Sequence, residues 1–290
     1  MLSTRDDRVL RATRILSAVI IPFLVVASVL LVVLPTQTDV TFAWTIRPPL
    51  TAMLLGAAYV GGIWFFTVVC LARAWHLVWT GFPAVVVFAT LLGIATLLHV
   101  DRFHAGHPSF IAWAALYATT PFAVLAVLLV NRRHDDGRPD AVDAVIPRAW
   151  AIALATVGGA ASLTGLVLFT LPQLLIDVWG WALTPLTARV VGAVLTLPGA
   201  VGVWMLADRR WSSFRAIIAA QLASLAVMIA ALAVRAQDVD WTRPAAWLFA
   251  TAIVASAAGY VAFFLTMERR TSGRAPRSRP RPASRSTSTG

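Results

Sequence analysis

A chain of 290 residues that is 59% hydrophobic and 13% charged, with a mean hydropathy of +0.78, lies outside the range of soluble domains, in which about a quarter of residues are charged. Every one of its 24 basic residues is Arg, so no lysine Schiff base can form and a retinal chromophore is excluded. The lone Cys70 excludes an internal disulfide and a thiolate metal cluster. A single Asn, a single Glu and no Lys, beside abundant Ala, Gly and Arg, give the codon signature of a GC-rich bacterial genome.

In chain order, the basic segment 1–14 leads into the first of eight apolar runs long enough to cross ~30 Å of hydrocarbon, which takes about 20 residues. The runs are 15–34, 50–72, 78–98, 110–130, 150–171, 186–207, 214–234 and 245–266. The first resembles a signal peptide in its flanking Arg residues, but its length and the lack of a cleavage site predict a retained span. Between the fourth and fifth runs lies a polar linker, 131–149. After the eighth, residues 267–290 are rich in Arg, Pro and Ser and carry too few apolar side chains to fold, which predicts a disordered tail.

Orientation follows from arginine. The N-terminus, the even-numbered connections and the tail hold 19 Arg and eight acidic residues, whereas the opposite side holds five of each. Basic residues are retained in the cytoplasm, so both termini are expected there, in a bacterial plasma membrane. The high pI is then a property of topology: it predicts contact with anionic lipids at the cytoplasmic face and gives no support to nucleic-acid binding.

The chain also echoes itself. PTQTDVTFAWTIRPPLTA, residues 35–52, returns 137 residues later in PQLLIDVWGWALTPLTAR, residues 172–189, with Trp44 answering Trp181. At an offset of 136, Pro49, Gly56, Arg73, Trp75 and Pro108 meet Pro185, Gly192, Arg209, Trp211 and Pro244. Four spans per copy is an even number. The expected fold is therefore an all-α integral membrane protein of eight transmembrane helices in two parallel four-helix repeats, 15–130 and 150–266.

Within the span cores there is no Asp, Glu, His or Lys, which argues against proton relays, ion pumps and intramembrane acid–base catalysis. No HExxH, P-loop, CxxC or GxSxG motif occurs. Two four-helix halves resemble haem A synthase in helix count, which would imply axial His ligands in each bundle. The second half has no His, and His76 and His99, 23 residues apart, would stand about 34 Å from each other along a helix. The resemblance ends at helix count. No cofactor is expected.

The candidate site residues fall into three groups. Arg189 stands one turn into the sixth span, where the helix dipole opposes a cation; with Asp177, Trp181 and Trp44 it is a candidate for a lipid headgroup or ligand. The matched interruptions Gly61-Gly62 and Pro198-Gly199, with Gln221, are candidates for a cleft between the repeats, and helix packing is the competing use of such small residues. No metal site is expected; the donors closest to one are His99, Asp101, His104 and His107, in a spacing that matches no established site. Trp44, Trp179, Trp181 and Trp241 also read as an outer interfacial belt, and Trp75, Trp79 and Trp211 as an inner one.

Function is expected to be non-enzymatic, that of an accessory subunit or scaffold with a membrane-protein partner or a second copy of itself. The alternative is a carrier or flippase for a neutral or lipophilic molecule in the inter-repeat cleft. The two separate on one feature: a carrier needs a mid-depth cavity lined by Tyr59, Thr196 or Gln221, and a scaffold fills that space with Leu, Val and Ala.

Overall fold

The computed structural model describes residues 7–132 and 143–272. Most of the linker and of the tail, and the first six residues, lie outside this range. Among the described residues eight helices are long and apolar enough to span a bilayer, and β pairing is confined to isolated bridges. Every backbone polar group inside hydrocarbon must be satisfied within its own segment, so helices are the form these apolar runs have to take.

The spanning helices are α1 (Arg11–Ser28, prolonged by a π-helical Val29–Val33), α3 (Pro49–Leu71), α4 (Gly81–Leu98), α5 (Pro108–Asn131), α6 (Arg148–Thr170), α8 (Pro185–Ala207), α9 (Trp211–Val234) and α10 (Pro244–Ser272). The one-turn helices α2 (Thr38–Thr41) and α7 (Gln173–Ile176) lie in the two echo segments. α3, α5, α8 and α10 all start on a proline, whose missing N–H is one of the donors a helix start leaves free anyway. Thr184 and Thr187 add a reciprocal capping box to α8.

α3 and α8 are central. More than half of each, 56%, is buried in the protein, against 11% for α10, whose flank faces lipid. α1 packs on α3 and α6 on α8; α4 packs on α5 and α9 on α10; and the bundle closes crosswise, α3 against α9 and α4 against α8.

The two ends of the bundle are tied by polar contacts. At the end holding the N-terminus, Trp75 N–H donates to Asp7 O (2.9 Å) and Trp211 N–H to Ala144 O (2.9 Å). The Asp7 carboxylate meets the His76 ring and backbone, and the Asp143 carboxylate accepts from the Ser212 backbone (3.1 Å) and hydroxyl (2.5 Å). At the other end His104 N–H donates to Ala43 O (2.9 Å) and Asp240 N–H to Gly180 O (2.8 Å).

Two expectations are corrected. α10 continues six residues past the end of its apolar run. Residues 267–272 are helical because Glu268 accepts from Trp211 Nε1 (3.0 Å) and from Arg215, which fixes that last turn against α9. The tryptophans read as belts are mostly interior. Trp44, Trp75, Trp181 and Trp211 are at most 2% exposed, packed edge-on or, for Trp75, tilted against Phe or Trp neighbours that close the ends of the bundle.

Candidate functional site

The middle of the molecule is not filled. α1, α3, α4 and α5 meet α8 and α9 around a cavity of about 90 Å³, whose lining includes Tyr59, Gly61, Gly62, Tyr117, Thr120, Gln221 and Ser224. Tyr59, Tyr117 and Gln221 stand near the midpoints of α3, α5 and α9, so the cavity lies at mid-depth. Gly61 brings α3 onto α9: a Cβ there would sit 2.1 Å from Ser224 Oγ and 2.9 Å from Ala220 O. Gly62 looks toward α1, where Leu24 is its nearest neighbour. The Tyr59 and Tyr117 hydroxyls share a hydrogen bond of 2.7 Å across the cavity.

The other polar groups are unsatisfied. The Thr120 and Ser224 hydroxyls and the Gln221 carboxamide have no hydrogen-bond partner among the described residues, although Thr120 and Ser224 are only 6% and 7% exposed. Other helix hydroxyls, such as those of Thr96, Thr119 and Thr266, bond back to the carbonyl four residues earlier. Thr120, Gln221 and Ser224 thus bring three polar side chains without a protein partner to one cavity.

The sequence candidates divide. Gly61, Gly62 and Gln221 line this cavity. Pro198 and Gly199 do not. They belong to the seam between α6 and α8, where a Cβ on Gly158 would meet Pro198 O at 2.6 Å and one on Gly199 would meet Ser162 Oγ at 2.1 Å. Thr196, expected as a lining residue, bonds instead to Ala193 O (2.7 Å), and its own carbonyl accepts from Ser162. Tyr117, Thr120 and Ser224 are not among the sequence candidates. A signal exists for Tyr117: Tyr59, Tyr117 and Tyr260 are the only tyrosines, and each stands deep within a span.

At the end away from the N-terminus, Arg189 is one turn into α8 but does not reach Asp177, which is exposed. Arg189 Nη1 donates to His99 Nε2 (2.8 Å) and to Pro185 O (3.3 Å), and its Nε is buried without a partner. To accept, His99 must be neutral at Nε2. Burial first, and then the Arg189 charge, hold its imidazole below the ordinary range.

Trp181 Nε1 donates to Thr51 Oγ1 (3.0 Å), tying one echo segment to α3, while the Trp44 indole is buried with no partner. Both rings are covered by protein, so neither presents a face to a headgroup. The remaining imidazoles also serve the fold. His104 donates from Nδ1 to Phe42 O (3.0 Å) and accepts at Nε2 from Thr45 (3.2 Å), and His107 caps α5 by accepting from Ser109 N (3.2 Å). Asp101 pairs with Arg102 in solvent (3.1 Å). Among the described residues no three His, Cys, Asp or Glu side chains converge as metal ligands would.

The chain matches no known protein family, no curated protein and no solved structure. What the fold supports is a multi-pass, all-α membrane protein with eight helices long and apolar enough to span a bilayer among the described residues.

Proposed function

We propose that the protein is a non-enzymatic binder or carrier of a neutral, lipophilic molecule, and that the mid-depth cavity between α3, α4, α5 and α9 is its site. The observation that carries this reading is the Gln221 carboxamide, unpartnered at mid-span beside a void lined by Tyr59. A side chain kept polar at that depth is a functional candidate by default. Retained lipid measures it directly. Protein purified in mild detergent should carry a co-purifying lipophilic molecule, and Ala84→Leu, which fills the cavity from α4, should strip it. Wild-type protein as bare as the variant would defeat the reading.

A scaffold role keeps one observation on its side. Ala255 and Gly259 put a small-residue seam on the lipid-facing flank of α10, where nothing stands within 4 Å of a Gly259 Cβ, and close helix association with a second protein or a second copy uses such seams. Size-exclusion of Gly259→Leu against wild type separates the two roles, since a carrier in this cavity is indifferent to that change.

We also read the chain as a duplication of a four-span unit, with both termini in the bacterial cytoplasm. Support comes from the pairing of contacts: Asp7 with His76 and Asp143 with Ser212, α1 on α3 and α6 on α8, α3 on α9 and α4 on α8. The Arg distribution supports the orientation, and a groove at the N-terminal end, where Arg132 and Arg209 stand beside an Arg210 already paired with Asp208, suits anionic headgroups there.

A further inference from the structure

The mid-depth cavity has a neighbour. Leu24, Tyr59 and Leu116 line it and also line a groove of about 310 Å³ between α1 and α5. Phe23 and Val26 on the groove's rim are 40% and 59% exposed, on the flank that meets lipid. The groove therefore opens where acyl chains lie. Its walls are apolar apart from Ser109, Tyr59 and the Trp113 indole, and all three polar groups are engaged, Ser109 with Thr41 O, Tyr59 with Tyr117 and Trp113 with Thr96.

The inner cavity differs in kind. Thr120, Gln221 and Ser224 leave hydroxyl and amide groups unbonded there, and no Arg, Asp, Glu or His is among its lining residues. An amide donates and accepts, and so does a hydroxyl, so a carbonyl or an alcohol is equally well met. A charge is not, because nothing at that depth compensates it. At roughly 30 Å³ for a water-sized group, the space admits a head of only a few non-hydrogen atoms.

We infer that cavity and groove form one site for an uncharged lipid with a single apolar chain: the chain lies between α1 and α5, and a carbonyl or hydroxyl head reaches Gln221 and Thr120. This rests on the carrier reading above and adds the ligand's class. Tyr59, on the wall shared by the two spaces, stands where head passes into chain.

The test uses the full chain in detergent and three probes with the same length of chain: oleyl alcohol, oleate at pH 8 and 1-octadecene, titrated by native mass spectrometry. Oleyl alcohol should bind one per chain and about tenfold more tightly than 1-octadecene, the effect of about one well-made buried hydrogen bond. Gln221→Leu and Thr120→Val should each erase most of that preference and leave 1-octadecene binding unchanged. Gln221→Leu should also unfold at a higher temperature than wild type, because it removes an unpaired amide; if it fails to fold, Thr120→Val carries the test alone. Oleate as the tightest probe, or alcohol and alkene binding alike in wild type and variants, overturns the head assignment while the cavity remains a binding site. If no probe binds wild type above the level of Ala84→Leu, the carrier reading itself falls and the ligand class with it.

Discussion

α3 and α8 hold corresponding places at the centre of the bundle and carry corresponding breaks in their apolar runs, Gly61-Gly62 and Pro198-Gly199, yet the surroundings of the two breaks differ. Around Pro198-Gly199 the glycines of α6 and α8 interlock: Gly158 faces Pro198 O, and Gly165 and Gly192 each lie so near the other's carbonyl that a Cβ on either would stand 2.5 Å from it. Around Gly61-Gly62 the Gly61 side is closed in the same way, by Ser224 Oγ and the Ala220 carbonyl, whereas Gly62 meets only Leu24 and borders a void. A small residue in a membrane helix leaves room, and its partner decides whether the room becomes a seam or a cavity. A backbone carbonyl opposite gives a seam; a movable Leu24 opposite leaves a space.

The largest expected effect breaks the seam. Gly165→Leu drives a side chain into Gly192 O, a backbone atom that cannot step aside, and should cost more than the ~1–3 kcal/mol usual for overpacking. Folded protein recovered after detergent extraction should fall to near nothing, whereas Gly159→Leu, with nothing within 4 Å of its Cβ, should be recovered as wild type. A sharper contrast uses one methyl group on each side. Gly158→Ala meets Pro198 O and should lower the unfolding temperature clearly; Gly62→Ala meets only the tip of Leu24, 2.9 Å away and able to rotate, and should cost about 1 kcal/mol or less.

Next in size is a pH effect at the first turn of α8. Because the folded state holds the His99 imidazole below its ordinary range, His99 contributes stability fully above the unfolded value of about 6.5 and loses it as pH falls from there through the depressed folded value. Protonation also ends its role as acceptor for Arg189. Unfolding curves at pH 7.5 and 5.5 should show wild type losing stability on acidification and His99→Gln losing less. Equal losses would mean that His99 takes no part in the acid response. The smallest effect is Tyr59→Phe, which deletes one hydrogen bond to Tyr117 and should lower stability by about 1 kcal/mol.

Much of the architecture is legible in the sequence because bilayer thickness imposes it. Apolar runs of some 20 residues bounded by Pro or Arg give eight spans to within a few residues, and Thr184 with Pro185, as cap and first helical residue, marks the start of α8. The interior is harder to read. In a soluble protein a polar residue advertises a surface, but in a span Thr196 and Thr120 look alike. One bonds back to its own helix and the other faces a cavity, and only the neighbouring helices determine which. Arg189 is a similar case. Its discomfort one turn into a helix is evident from the chain, but its partner is His99, 90 residues away at the end of α4, not the nearer Asp177. The Trp residues mislead for the opposite reason: amphipathic rings near span ends suit a lipid interface and the closed end of a bundle equally well.

The crosswise closure of the bundle has a consequence for how the chain is made. α3 finds its partner in α9 and α4 finds its partner in α8, both synthesised long after them. When the first five helices have left the ribosome, the Gly61 face of α3 has no Ser224 to meet, and the Thr80 hydroxyl has no Ser213 carbonyl, to which it donates at 2.6 Å in the finished protein. The early helices must wait in the bilayer with these faces turned to lipid. The centre of the molecule is thus closed late, and a chain interrupted before Trp211 has membrane spans but lacks the α9 wall of the cavity.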